Sequence, residues 1–147
     1  MKTVFYNSRI AEFFTPMSGF KTITLFGFVF TEKSELSNTV LAHERIHQQQ
    51  YAEMVAAGLC IASLCTVIFD TLWVWILPFT LYYILYIVEY LIHLIRLRDS
   101  VKAYSTISFE REAYDLMNEI TKDCSIRRKR RTFGWVHYLI SQNYRAP

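Results

Sequence analysis

The chain has 147 residues, of which 52% are apolar and 20% charged, with a formal net charge of +3. That length allows one domain, or a small head joined to a membrane hairpin. Its three cysteines, Cys60, Cys65 and Cys124, are odd in number, with two in the apolar run, so they imply no disulfide framework, and no C-x-x-C spacing suggests a cysteine metal site.

Asn7, Arg9, Glu12 and Pro16 interrupt any apolar stretch near the start, so no signal peptide is expected there. Insertion is then expected to depend on the internal apolar segment, which runs from Val55 to Leu97. Lys21 to Thr31 is rich in β-branched and aromatic residues, with Thr22, Thr24, Phe26, Phe28 and Phe30 alternating. This predicts a strand, or a hairpin bent at Gly27. Polar residues from Glu32 to Ser37 follow, and Ser37 or Asn38 suits a helix N-cap.

The next helix is expected over 38–69, passing from a polar first half into an apolar second half. A second apolar helix is expected over 72–98, with Asp70 and Thr71 at the turn, Trp73 and Trp75 at an interface, and Pro78 in the first turn. Together they predict a helical hairpin in a membrane, since so long an apolar stretch is hard to bury in so small a domain. A buried soluble hairpin is the alternative.

A third helix is expected over 108–122, capped by Ser108, and a basic tail over 127–147. From Arg96 onward eleven Lys/Arg face six Asp/Glu. Positive charge on the cytoplasmic side predicts an inner-membrane protein with both termini in the cytoplasm. The run Arg127 to Arg131 suits anionic lipid headgroups. Nucleic acid is not expected, because Trp135 and Tyr138 beside the run also suit a membrane interface and no recognition motif accompanies it.

The segment His43-Glu44-Arg45-Ile46-His47 carries the chemistry. Residues four apart share a helix face, so both histidines can bind one zinc ion. Glu44 projects beside that face as a general base towards metal-activated water. A catalytic site needs a third protein ligand. Glu110 and Glu112 lie about 200° apart on a helix and cannot both face the ion. Glu110 ranks first, then Glu112, then Glu89, with His93 last; the glutamate not used is expected to be solvated or paired to an arginine. Ala113 would let this helix pack close to the histidine helix. Glu89 and His93, four apart in an apolar helix, are either a local pair or a support for a ligand imidazole. Gln48, Gln49 and Gln50 offer polar groups next to the site but are expected on ordinary helix surface or at an interface. No tyrosine, Tyr114 included, stands out as an oxyanion donor.

H-E-x-x-H, an apolar hairpin and then E-x-x-A resembles the integral-membrane gluzincins, such as the HtpX-type quality-control proteases, the type I CaaX prenyl proteases and the BlaR-type sensors. The segments HERIHQQQ and FEREAY also look like those of small bacterial membrane proteins. The resemblance spans roughly His43 to Asp115. It implies a mainly α, zincin-like fold with zinc on His43, His47 and Glu110 and with Glu44 as catalytic base. Tyr114 stands where those families have an aspartate, so Asp115 or Glu89 would have to replace it. The expected function is a zinc metallopeptidase acting on peptide or membrane-protein substrates. The alternative is a non-catalytic zinc-binding sensor or scaffold.

Overall fold

The computed structural model of the protein describes residues 4–14, 21–123 and 131–141. Cys124 and Arg127 to Arg130, most of the basic run, lie outside these residues. The described chain is mainly helical with one small sheet.

The region from Lys21 to Thr31 is a hairpin of β2 (Thr22–Leu25) and β3 (Phe28–Thr31), paired from Thr22 with Thr31 to Leu25 with Phe28. Its two-residue loop, Phe26 and Gly27, has φ of 50° and 77°. That is the pattern of a type I′ turn, which matches the twist of the strands. Two further elements were not expected. β1 (Val4–Phe5) pairs parallel to β3, and α1 (Arg9–Phe14) follows it. The strand order is β1-β3-β2, so β2 is an edge strand.

Helix α2 (Asn38–Phe69) begins at Ser37, whose hydroxyl accepts from Val40 N–H, and ends at Asp70 in the left-handed region. At 32 residues it is about 48 Å long. Ala42, His43, Ile46, His47, Gln50 and Met54 form its buried stripe, at helical spacing. Beyond Met54 only Gly58 and Ala62 are buried. A 3-10 turn over Trp73–Ile76 leads into α3 (Leu77–Leu97), with Pro78 in its first turn. A Cβ on Gly58 would fall 2.6 Å from Pro78 Cα, so only glycine lets the two helices approach so closely here. Both apolar segments are long and apolar enough to cross a membrane. Their outer faces expose large apolar side chains throughout, with Val67 at 85% and Trp73 at 88%.

A short helix that was not expected, α4 (Ser100–Thr106), starts at Asp99, whose carboxylate accepts from the N–H groups of Val101 and Lys102. It precedes α5 (Ser108–Asp123). Ser108 is not the cap that the sequence suggests. Its N–H and its hydroxyl both donate to Glu89, each at 2.7 Å. A carboxylate from α3 therefore satisfies the α5 N-terminus, where negative charge also complements the helix dipole.

Helix α6 (Trp135–Ile140) packs on α5. Trp135, expected at a membrane interface, is instead buried and stacked on Phe109 at 4.5 Å. Arg111 donates to the carbonyls of Tyr138 and Ser141 at 2.9 and 3.1 Å. These contacts turn part of the expected basic tail into a covering for the back of α5.

Candidate metal centre

Helical spacing brings His43 and His47 together on α2, with their Nε2 atoms 3.0 Å apart. Glu110, in the first turn of α5, reaches both. Its Oε2 lies 3.3 Å from His43 Nε2 and its Oε1 lies 3.2 Å from His47 Nε2. The approach is possible because Ala113, fully buried one turn later, packs against Ala42 and Ile46 of α2. Glu89 and the 108 N-terminus hold the same end of α5 from the other side.

These three residues can hold a metal ion, their donor atoms lying within 4.8 Å of one another. Zinc bonds of about 2.0–2.1 Å at tetrahedral angles put neighbouring donor atoms about 3.3 Å apart. The observed separations of 3.0, 3.2 and 3.3 Å are of that size, with His43 facing one oxygen of the Glu110 carboxylate and His47 the other. Buried lone pairs facing one point are costly unless a proton or a cation stands among them. Glu110 Oε2 has no hydrogen-bond partner among the described residues, although it is buried and close to His43. Burial opposes charge on Glu110, but attraction to the protonated His47 ring and hydrogen bonds from both histidines more than reverse this, holding its carboxyl well below the usual carboxylate range when no cation is bound. The site is therefore built for an anionic oxygen beside two imidazole nitrogens.

Gln50, expected at the helix surface or an interface, is fully buried and braces the centre. Its Nε2 donates to Phe109 O at 3.0 Å and to Glu112 Oε2 at 2.8 Å, which turns its Oε1 towards His47. His47 Nδ1 lies 2.8 Å from that oxygen and so donates to it, which would leave Nε2 as the atom whose lone pair is offered to a bound ion. The clue was in the stripe: His43, His47 and Gln50 fall at i, i+4 and i+7. Replacing Gln50 with leucine should weaken metal affinity about 10–100-fold, the usual cost of losing such a partner. Competition against a chromophoric chelator measures it, and unchanged affinity would refute the bracing role.

The other ranked ligands lie elsewhere. Glu112 is neither a ligand nor solvated; it is 1% exposed beneath Gln50. Glu89 spends its oxygens on Ser108, with His93 Nε2 3.6 Å away, so the local pair is present and the support for a ligand imidazole is not. Asp115 is exposed and interacts with Tyr138, away from the histidines. Neither Asp115 nor Glu89 takes the place of the aspartate seen in the resembling families. The Tyr114 ring instead leans on the His43 ring at 4.8 Å, and His43 Nδ1 has no hydrogen-bond partner among the described residues. One histidine is thus braced and the other is not.

Glu44 is 7% exposed, and its Oε2 accepts a 2.6 Å bond from Thr24 Oγ1 on β2. It borders a cleft of about 250 Å³ between the β2 edge and a wall of Tyr82, Tyr83, Tyr86 and Tyr104, with His47 and Glu110 at its inner end. Sequence reasoning missed this wall, because four tyrosines from two helices meet only in the fold. Tyr86 donates to Glu110 Oε1 at 2.7 Å. Burial and the Glu110 carboxylate push the Tyr104 phenol well above its ordinary value, so it stays a protonated donor at neutral pH. The arrangement offers a metal position, an acidic side chain and a cleft side by side.

Comparison with protein-family models, with curated proteins and with solved structures found no match to the chain.

Proposed function

We propose that the protein is a membrane-embedded zinc metallopeptidase of gluzincin type that hydrolyses peptide bonds in membrane-associated substrates. The observation that carries this reading is the convergence of His43, His47 and Glu110, with His47, Glu110 and Glu44 lining one cleft. Two imidazole nitrogens and one carboxylate form a three-ligand set, which leaves a coordination position open, as catalytic zinc sites do and closed structural sites do not. The spacing and the resemblance of H-E-x-x-H and E-x-x-A favour zinc among the divalent metals that such donors accept.

When bound, zinc supplies Lewis acidity that activates water and polarises a carbonyl. The remaining work falls to the chain. Thr24 holds one oxygen of Glu44, and the carboxylate takes a proton from water and returns it to the leaving amine. Gln50 fixes the His47 tautomer. The free edge of β2 aligns an extended peptide by strand addition. The tyrosine wall limits access of bulk water to this groove.

The membrane assignment is supported by the outer faces of α2 and α3. Large apolar side chains gain about 1.5–3 kcal/mol each when moved out of water, and those from Leu59 to Leu97 would forfeit much of that in solution. Arg96 and Arg98 at the end of α3, with Lys102 just beyond in α4, favour a cytoplasmic exit, so both termini belong on that side of the inner membrane and the metal centre opens towards it.

The test is cleavage by purified protein in detergent of casein and of single-span membrane peptides. We expect cleavage that a zinc chelator stops and added zinc restores. Protein that holds stoichiometric zinc yet cuts none of them would support the non-catalytic sensor or scaffold instead.

A further inference from the structure

The β2–β3 hairpin lies along α2 with its tip directed towards the apolar half. Two residues before the turn Thr24 bonds to Glu44; at the tip Gln48 donates to Gly27 O at 2.8 Å, and the Phe26 ring meets Tyr51 edge-on at 6.2 Å. The contact partners thus progress from residue 44 to 48 to 51 as the hairpin approaches its turn. The Phe26 N–H donates to Tyr83 Oη at 2.6 Å. Tyr83 lies within α3 among the exposed apolar side chains Phe79, Ile84 and Ile87. It stands fourteen residues before Leu97, about 21 Å along the helix axis. The tip is therefore level with the interior of an apolar helix rather than with its charged end, at the height of Tyr82 and Tyr86, which reach His47 and Glu110.

The side chains agree with that depth. Lys21 and Lys33 are exposed at the hairpin base, whereas the tip shows Phe26 at 57%, with Phe28 at 37% and Phe5 at 44% beside it. Phe26 also has a positive φ of 50°. Asparagine, aspartate and glycine are preferred at that turn position, and a bulky aromatic there is strained. A strained, half-exposed phenylalanine is a poor choice for a turn in water. It is a good one for a turn in lipid, where a polar side chain would have to be desolvated. A two-residue turn leaves little backbone unpaired, and Tyr83 and Gln48 satisfy the Phe26 N–H and the Gly27 carbonyl, as an apolar solvent requires.

We infer that the aromatic hairpin tip, Phe26 with Phe5 and Phe28, inserts into the lipid bilayer and brings the β2 edge of the cleft against lipid. This rests on the membrane reading of α2 and α3. It makes the cleft open where a segment emerging from lipid would meet it, so the substrate class is the interfacial part of a membrane-inserted chain.

Nitroxide labels on single cysteines test the inference, in protein with Cys60, Cys65 and Cys124 replaced by alanine and reconstituted in phosphatidylcholine–phosphatidylglycerol vesicles. Labels go at Phe26→Cys and, in a second variant that leaves the turn intact, Phe28→Cys, with Leu64→Cys as lipid reference and Lys33→Cys as water reference. Stoichiometric zinc binding reports that each variant is folded. The expected result is that the tip labels resemble Leu64, with oxygen collisions favoured and nickel-chelate collisions several-fold below those at Lys33. Tip labels resembling Lys33 while Leu64 is lipid-like would overturn the inference and leave the membrane reading standing. A water-accessible Leu64 would overturn both.

Discussion

Replacing Glu44 with glutamine is expected to leave the metal in place and to lower hydrolysis about 10²–10⁴-fold, the usual worth of a positioned general base. The reason is a division of labour. Glu44 is not among the three converging donors; it faces the cleft and is held by Thr24. Glutamine has nearly the same shape and can still accept from Thr24, so packing should survive while proton acceptance is lost. Zinc content and turnover measured on the same preparation separate the two roles. Full turnover by the variant would remove Glu44 from the mechanism.

Replacing Glu110 with glutamine is expected to reduce metal affinity by more than the roughly 10–100-fold typical of an outer partner. The charge that balances the cation disappears, and a neutral amide is left facing two imidazoles. Glu112 supplies the control, being equally buried on the same helix but bonded to Gln50. Glu112→Gln should cost no more than an outer partner does. Calorimetric zinc titration of both variants decides the order, and metal loss in Glu112→Gln with retention in Glu110→Gln would reverse the assignment.

Local periodicity made part of this molecule legible in its sequence. The i, i+4 spacing of His43 and His47 needs only a helix, and the limits of that helix follow from Ser37, Asp70 and the apolar run. The angular argument separating Glu110 from Glu112 also needs only helix geometry, and Glu110 is the one beside the histidines. What stayed hidden depends on contacts between distant residues. Gln50 reads as one of three glutamines until Phe109 and Glu112 close over it. Ser108 reads as a cap until Glu89 arrives from α3 to take that role. Trp135 beside a basic run reads as interfacial, yet Phe109 offers it a stacking surface. In each case the side chain alone allows several partners, and the fold selects one.

The two histidines now differ in a way their motif does not suggest. His47 is tied through Gln50 to Glu112, while His43 has Tyr114 against its ring and no hydrogen bond at Nδ1 among the described residues. Zinc binding should therefore depend more on the Gln50 brace than on any support of His43.

The most direct measurement of the central claim is elemental analysis of purified protein combined with zinc X-ray absorption. We expect about one zinc per chain, with nitrogen and oxygen donors at roughly 2.0–2.2 Å, two imidazoles among them, and loss of the signal in His47→Ala. Absence of stoichiometric zinc, or a shell containing sulfur, would contradict a centre built from His43, His47 and Glu110.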